Sequence, residues 1–271
     1  MYRNRHCIVL LCFIFVFLLS QGGSALTSQD SPEQPGNRTV QDKPDFVSEE
    51  VLRGKLIILG GKASSDFQQN ITYNPEQNSY RIDFCSSLYQ LEAELDSALR
   101  LRYSKWQSTS AELIEFLGYD LRITEYLPQK EALQIVYYRG DRVKETKVVG
   151  YDEQTVDSDI IYLYLSKLLE SSHEPTCCDI IIKARGWKLS VVFSPITTND
   201  VLALSPQYAF LDGFREFAEK IAEQDEELEI LIMDLNGLSK LFYPHRYYLA
   251  FKRTTPRQFI AYWGGAPREA E

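Results

Sequence analysis

The stretch PHRYYLAFKRTTPRQFIAYWGG, Pro244 to Gly265, decides the fold class. Arg246–Lys252 and Gln258–Trp263 are aromatic, β-favouring runs on either side of Arg253-Thr254-Thr255-Pro256. That order predicts a β-hairpin, with Pro256 outside the ladder because proline has no N–H to donate. Alternation puts Tyr247, Leu249 and Phe251 on one face and Tyr248 and Ala250 on the other. Tyr248, Phe251, Phe259, Tyr262 and Trp263 cannot all face water without leaving a large apolar patch. One face is therefore expected to be core, and the other a second buried layer or a binding surface. These five are the candidate ligand-lining residues.

Working outward, the pattern is β-rich. Tyr80–Cys85 reads as a strand, and so does Lys55–Leu59. From Gln90 to Tyr103 apolar and polar residues alternate, which predicts one long strand or a hairpin bent near Asp96-Ser97. Leu88, Leu91, Leu95 and Leu99 also fit a helical stripe, but the period of two fits more of the residues. Leu133–Tyr138 and Arg142–Val149 flank Arg139-Gly140-Asp141, a hairpin turn. The Arg-Gly-Asp triplet has the form of an integrin-recognition motif, although Gly-Asp at an apex is what turn chemistry requires. Ile180–Lys183 and Lys188–Phe193 form a further hairpin around Arg185-Gly186, and Tyr119–Tyr126 and Leu228–Asp234 read as strands.

Helices are few. Thr109 and Glu112 have the spacing of a capping box before a short helix ending at Gly118. Asp157 or Ser158 caps a helix running to about Leu169, with Ile161, Leu165 and Leu168 on one face. Asp212 caps another, burying Phe214, Phe217 and Ile221 and exposing Glu216, Glu219 and Glu223. The expected fold is a β-dominated α+β domain over residues 51–271: a curved, half-barrel-like antiparallel sheet packed against one or two helices.

The N-terminus predicts export. Arg3 and Arg5 precede the uncharged apolar run Cys7–Ser20, and Ser24-Ala25 closes it with small residues. This is the grammar of a cleaved signal peptide over residues 1–25, with an uncleaved membrane anchor as the alternative. Residues 26–50 are polar and proline-containing, as in a disordered linker. Export makes the location periplasmic or secreted. It also permits a disulfide from Cys85 to Cys177 or Cys178, with three buried free thiols as the alternative. Asn37-Arg38-Thr39 and Asn70-Ile71-Thr72 are glycosylation sequons if the pathway is eukaryotic.

Composition narrows the function. The chain carries −9, and −11 once residues 1–25, with their two arginines and no acid, are removed. Such acidity argues against a nucleic-acid partner. No nucleophile elbow is present, and Gly60-Gly61-Lys62 lacks the remaining residues of a phosphate loop. His173 and His245 lie apart in the sequence, and no Cys-x-x-Cys exists, so no metal or other cofactor is expected. Asp157 and Asp159 read as helix-start acids. Glu226, Glu227 and Glu229 read as a solvated acidic face. Arg246, Lys252, Arg253 and Arg257 form a basic cluster that either meets an acidic segment inside the protein or docks an anionic group outside it.

The element order from Tyr119 to Gly265 resembles a known family. Its features are the strand pair around Arg139-Gly140-Asp141, then Val156-Asp157-Ser158-Asp159 leading into an apolar helix with Tyr162 and Leu168, and Pro256-Arg257 before the last strand. It is similar to a family of exported bacterial β-rich proteins of unknown function, themselves like the half-barrels of periplasmic lipoprotein carriers. The acidic helix within Asp212–Glu229 departs from that pattern. The resemblance implies a curved sheet and carries over no catalytic residue. The expected function is an exported, non-enzymatic envelope protein binding an apolar or lipid-like ligand. The alternative is a structural or assembly protein that docks a partner protein through a sheet edge or the basic hairpin. A hydrolase with an unrecognised site is the third reading.

Overall fold

The computed structural model describes residues 49–58, 63–171, 175–203, 214–223, 228–236, 245–254 and 257–267. The expected signal peptide, most of the linker, Gly60-Gly61-Lys62, His173, the Asp212 cap, Glu226, Glu227, Pro244 and Pro256 lie outside them. The fold is β-dominated α+β, and its strands form two sheets rather than one.

The first sheet is an eight-stranded antiparallel meander: β1 (Glu49–Ile58), β2 (Ala63–Asn74), β3 (Ser79–Ser86), β4 (Tyr89–Asp96), β5 (Leu101–Ser108), β6 (Leu121–Leu127), β7 (Ala132–Arg139) and β8 (Arg142–Gly150). The alternation over 90–103 resolves into β4, a turn and β5. Tyr89, Leu91, Ala93 and Leu95 point inward, and Gln90, Glu92 and Glu94 point outward. At the β7–β8 apex Gly140 has φ +57°, which glycine adopts without a Cβ penalty. Helix α1 (Ala111–Leu117) joins β5 to β6. Its cap is Ser110, not Thr109: the Ser110 hydroxyl accepts from the Leu113 N–H. Gly118 ends it in the left-handed region.

The second sheet has the spatial order β14-β13-β12-β11-β10-β9 and is curled into a half-barrel. Its members are β9 (Thr155–Asp157), β10 (Thr176–Ile182), β11 (Trp187–Ile196), β12 (Leu228–Leu235), β13 (His245–Lys252) and β14 (Gln258–Pro267). The short β9 runs parallel to β10, an exception to the expected antiparallel order. It needs a crossover, and α2 (Ile161–Ser171) supplies it. Between β11 and β12 come α3 (Thr198–Ala203), which the sequence reading missed, and α4 (Phe214–Ala222).

Two cores result. The larger fills the space between the sheets and takes in α2. A file of rings crosses the inner face of the first sheet, from Phe67 through Phe84, Tyr89, Trp106 and Tyr119 to Tyr137, with centroids 4.7–5.6 Å apart. The smaller core lies on the other face of the half-barrel. There Phe214, Phe217 and Ile221 of α4 and Val201 of α3 cover Tyr248, Ala250, Ile260 and Trp263.

Candidate functional site

The closing hairpin is buried on both faces. Phe251, Phe259 and Tyr262 belong to the inter-sheet core, beside Tyr247 and Leu249. Tyr248 and Trp263 face the opposite way, and Trp263 meets Phe214 edge-on at 4.7 Å. The five ligand-lining candidates are therefore split across the sheet, as alternation requires. All five are at most 7 % exposed. Three of them share the face on which α2 lies.

Helix α2 is apolar around almost its whole circumference. Ile161, Tyr162, Leu163, Leu165, Ser166 and Leu169 are buried, and Tyr164 and Leu168 pack on the same core. A helix of this composition belongs in an interior. It lies between the sheets. The Tyr162 ring packs 5.4 Å from Phe259 of β14, and its hydroxyl bonds the Gln69 side chain of β2. One turn on, the Ser166 hydroxyl donates to the Arg257 carbonyl.

The second feature is a buried ionic quartet between the sheets. Asp157 ends β9, and its Oδ1 accepts from the Asp159 N–H, capping a 3₁₀ turn over Ser158–Ile160. That places both carboxylates inward. Lys183 follows β10 directly, and its ammonium lies 2.6 Å from Asp157 Oδ2, 2.9 Å from Asp159 Oδ2 and 2.9 Å from Ser104 Oγ of β5. The ammonium donates a hydrogen bond to Ser104 and forms ion pairs with both carboxylates. Arg122 of β6 donates to Asp159 Oδ2 at 2.5 Å, and its guanidinium stands 5.7 Å from the Trp106 ring. Tyr137 of β7 donates to the Lys183 carbonyl at 2.6 Å.

Lys183 and Asp157 have no exposed side-chain surface, Arg122 has 1 %, and Asp159 keeps 15 %. Two cations face two anions, so the group is neutral. Burial pushes the Asp157 carboxyl above its usual range, and Lys183 offsets that only in part. Burial acts in the same direction on Asp159, but Arg122 and then Lys183 outweigh it and hold that carboxyl low. Burial would lower the Arg122 pKa; Asp159 reverses this and raises it. Burial also drives the Tyr119 hydroxyl up to about 12.

Asp157 and Asp159 do stand at a helix start, where Asp157 is the cap, but both are also packed inside the core against Lys183 and Arg122. Arg122 and Lys183 were not singled out. The available signal was phase. Along β6 the apolar Leu121 and Ile123 are half-buried, while Arg122 and Thr124 point inward.

Among the described residues Cys85 of β3 and Cys177 and Cys178 of β10 are free thiols, so the structure does not contain the expected disulfide. Cys85 and Cys177 are exposed, which also departs from the reading of three buried thiols. Among the described residues no three His, Cys, Asp or Glu side chains come together as metal ligands. Part of the basic cluster is satisfied internally, since Arg257 Nε lies 3.2 Å from buried Glu229, which is therefore no part of a solvated acidic face. No helix among the described residues is long and apolar enough to cross a membrane. No family model, no curated protein and no solved structure matches the chain.

Proposed function

We propose that this chain is an exported, non-enzymatic envelope protein that takes an apolar, lipid-like ligand into the space between its sheets, where α2 sits. The observation that carries the reading is α2 itself. It presents Ile, Leu and Tyr side chains to both sheets and is fastened by Tyr162 to Gln69 and by Ser166 to the Arg257 carbonyl. An acyl chain offers the sheets the same kind of apolar contact as such a helix, because burial energy follows apolar area and not identity. Phe251, Phe259 and Tyr262 would line the space.

The quartet supports a non-enzymatic role. Its charges compensate one another, and its carboxylates are engaged by Lys183 and Arg122 rather than held ready for a substrate. It reads as a clamp that fixes the mutual position of the sheets. The resemblance of the Asp-led helix and the proline before the last strand to a family of exported β-rich proteins is in keeping with this reading. The direct test is mass spectrometry of an organic extract of the protein purified from its exporting cell without detergent. A lipid at close to molar stoichiometry is expected, and its absence would count against the reading.

A second reading, docking of a partner protein, is favoured by β8. It ends the first sheet, and its Val143 and Val148 are 59 % and 53 % exposed. A free strand edge is a template for another chain. A stable hetero-complex lost on Val148→Lys, without bound lipid, would support it.

A further inference from the structure

We propose that the cleft between the β4–β5 turn and the β6–β7 turn binds a phosphate-class oxyanion, with Arg100 and Arg102 as the anion-binding residues. The inference is independent of the ligand proposed for the inter-sheet space. The cleft encloses about 530 Å³ and is lined by Asp96, Arg100, Leu101, Arg102, Tyr126 and Pro128.

Tyr151, only 2 % exposed, ties the two rims together. Its N–H donates to the Glu131 carbonyl at 2.7 Å, on the β6–β7 side. Its hydroxyl accepts from the Leu101 N–H and its carbonyl from Arg100 Nη2, each at 2.9 Å, on the β4–β5 side. The Arg100 guanidinium lies 5.2 Å from the Tyr151 ring and 5.7 Å from the Tyr126 ring, so it packs against both rings, which themselves meet edge to face. An arginine fixed in this way loses little further freedom when an anion arrives.

The turn is built to hold that position. Leu99 has φ +62°, a left-handed conformation that a branched side chain rarely adopts. Asp96 secures it: Oδ1 accepts from the N–H groups of Ala98 and Arg100, both at 2.9 Å. That carboxylate oxygen is thus occupied by the turn. Immediately afterwards the ladder slips, with Leu95 opposite Leu101 and Glu94 opposite Tyr103. Arg102 is the extra residue, exposed at the bulge. A bulge re-aims the side chain it carries.

Two arginines and one aspartate leave the cleft positive on a chain whose net charge is −9. Guanidinium groups match the geometry of phosphate oxygens, and Tyr126 and Pro128 offer apolar surface beside them. The ligand class is therefore a phosphate group joined to an apolar or planar body. A lipid head group and a soluble phosphomonoester share this chemistry.

The test is a titration of the isotope-labelled protein with inorganic phosphate and with phenyl phosphate, at constant ionic strength. Expected are saturable amide shifts confined to residues 96–102, 126 and 127, with phenyl phosphate tighter. Arg100→Gln and Arg102→Gln should each weaken binding by about tenfold. Arg102 is exposed, so its replacement leaves the fold intact and keeps the result interpretable. Phosphatidylcholine vesicles with and without phosphatidylglycerol separate the sources. Co-sedimentation that needs phosphatidylglycerol and Arg102 marks a lipid head group, and binding confined to the soluble phosphates marks a free one. Shifts that are scattered or non-saturating, or that persist unchanged in both variants, would overturn the proposal.

Discussion

Lys183 Nζ lies 2.6 Å from Asp157 Oδ2, and neither side chain has any exposed surface. One residue follows β10 and the other ends β9, and through Ser104 the same ammonium reaches β5 of the opposite sheet. Such a pair adds little net stability but is costly to break from one side, because the survivor is left charged in the core. Lys183→Met should cost about 3–5 kcal/mol in denaturant unfolding. A loss below about 1 kcal/mol, the scale of a surface change, would mean that the pair is not buried as described.

The pH dependence follows from the carboxylates. Asp159 is held low, so the folded protein binds this proton less readily than the unfolded chain, whose aspartates titrate near 3.9. Its stabilising contribution is complete above about pH 4 and disappears as the pH falls through the folded value. Asp157 is raised and acts in the opposite sense: its ionisation weighs against the fold as pH rises through the raised value. Unfolding midpoints measured across acid pH should therefore fall below about pH 4 in the wild type. Asp159→Asn should be less stable at neutral pH and show a shallower acid limb. An unchanged acid limb would contradict the assignment.

The thiols can be counted. Denaturing, non-reducing titration of the chain from residue 26 should find Cys85, Cys177 and Cys178 all free. In the native protein Cys85 and Cys177 should react readily. Cys178 should lag, because it is buried and its thiol is pushed up to about 12. One free thiol under denaturing conditions would instead establish the disulfide.

The hairpin residues test the two cores. Phe251 is fully buried between the sheets, and Trp263 packs under α4. Phe251→Ala and Trp263→Ala should each cost about 3–5 kcal/mol. Phe251→Ala losing much less stability than Trp263→Ala would show that the inter-sheet space is loosely filled on its β13 side.

Local signals were legible wherever the chemistry is local. The turns at Gly140 and Gly186 need positive φ, and the sequence supplies glycine at both. The strand alternation over β4 and the buried stripe of α4 are written in residue order. Long-range features were not. The three residues of β9 are a strand because β10 pairs with them, and their own sequence reads equally well as a helix start. β2 passed unread between Gly60-Gly61 and Tyr80, because the buried Gln69 interrupts the apolar inward positions Phe67 and Ile71. Lys183 reads as a polar strand end until Asp157 and Ser104 are brought to it from 26 and 79 residues away. The division into two sheets depends on the same distant pairings.

The most direct measurement of the ligand proposal is uptake of a fluorescent polyunsaturated fatty acid by the wild type and by Tyr162→Phe. The substitution keeps the ring against Phe259 and deletes the hydroxyl that fastens α2 to Gln69. It should cost about 0.5–1.5 kcal/mol of stability. Saturable binding of about one molecule per chain is expected, several-fold tighter in Tyr162→Phe because α2 is easier to displace. No saturable uptake by either protein, with both shown to be folded, would contradict it.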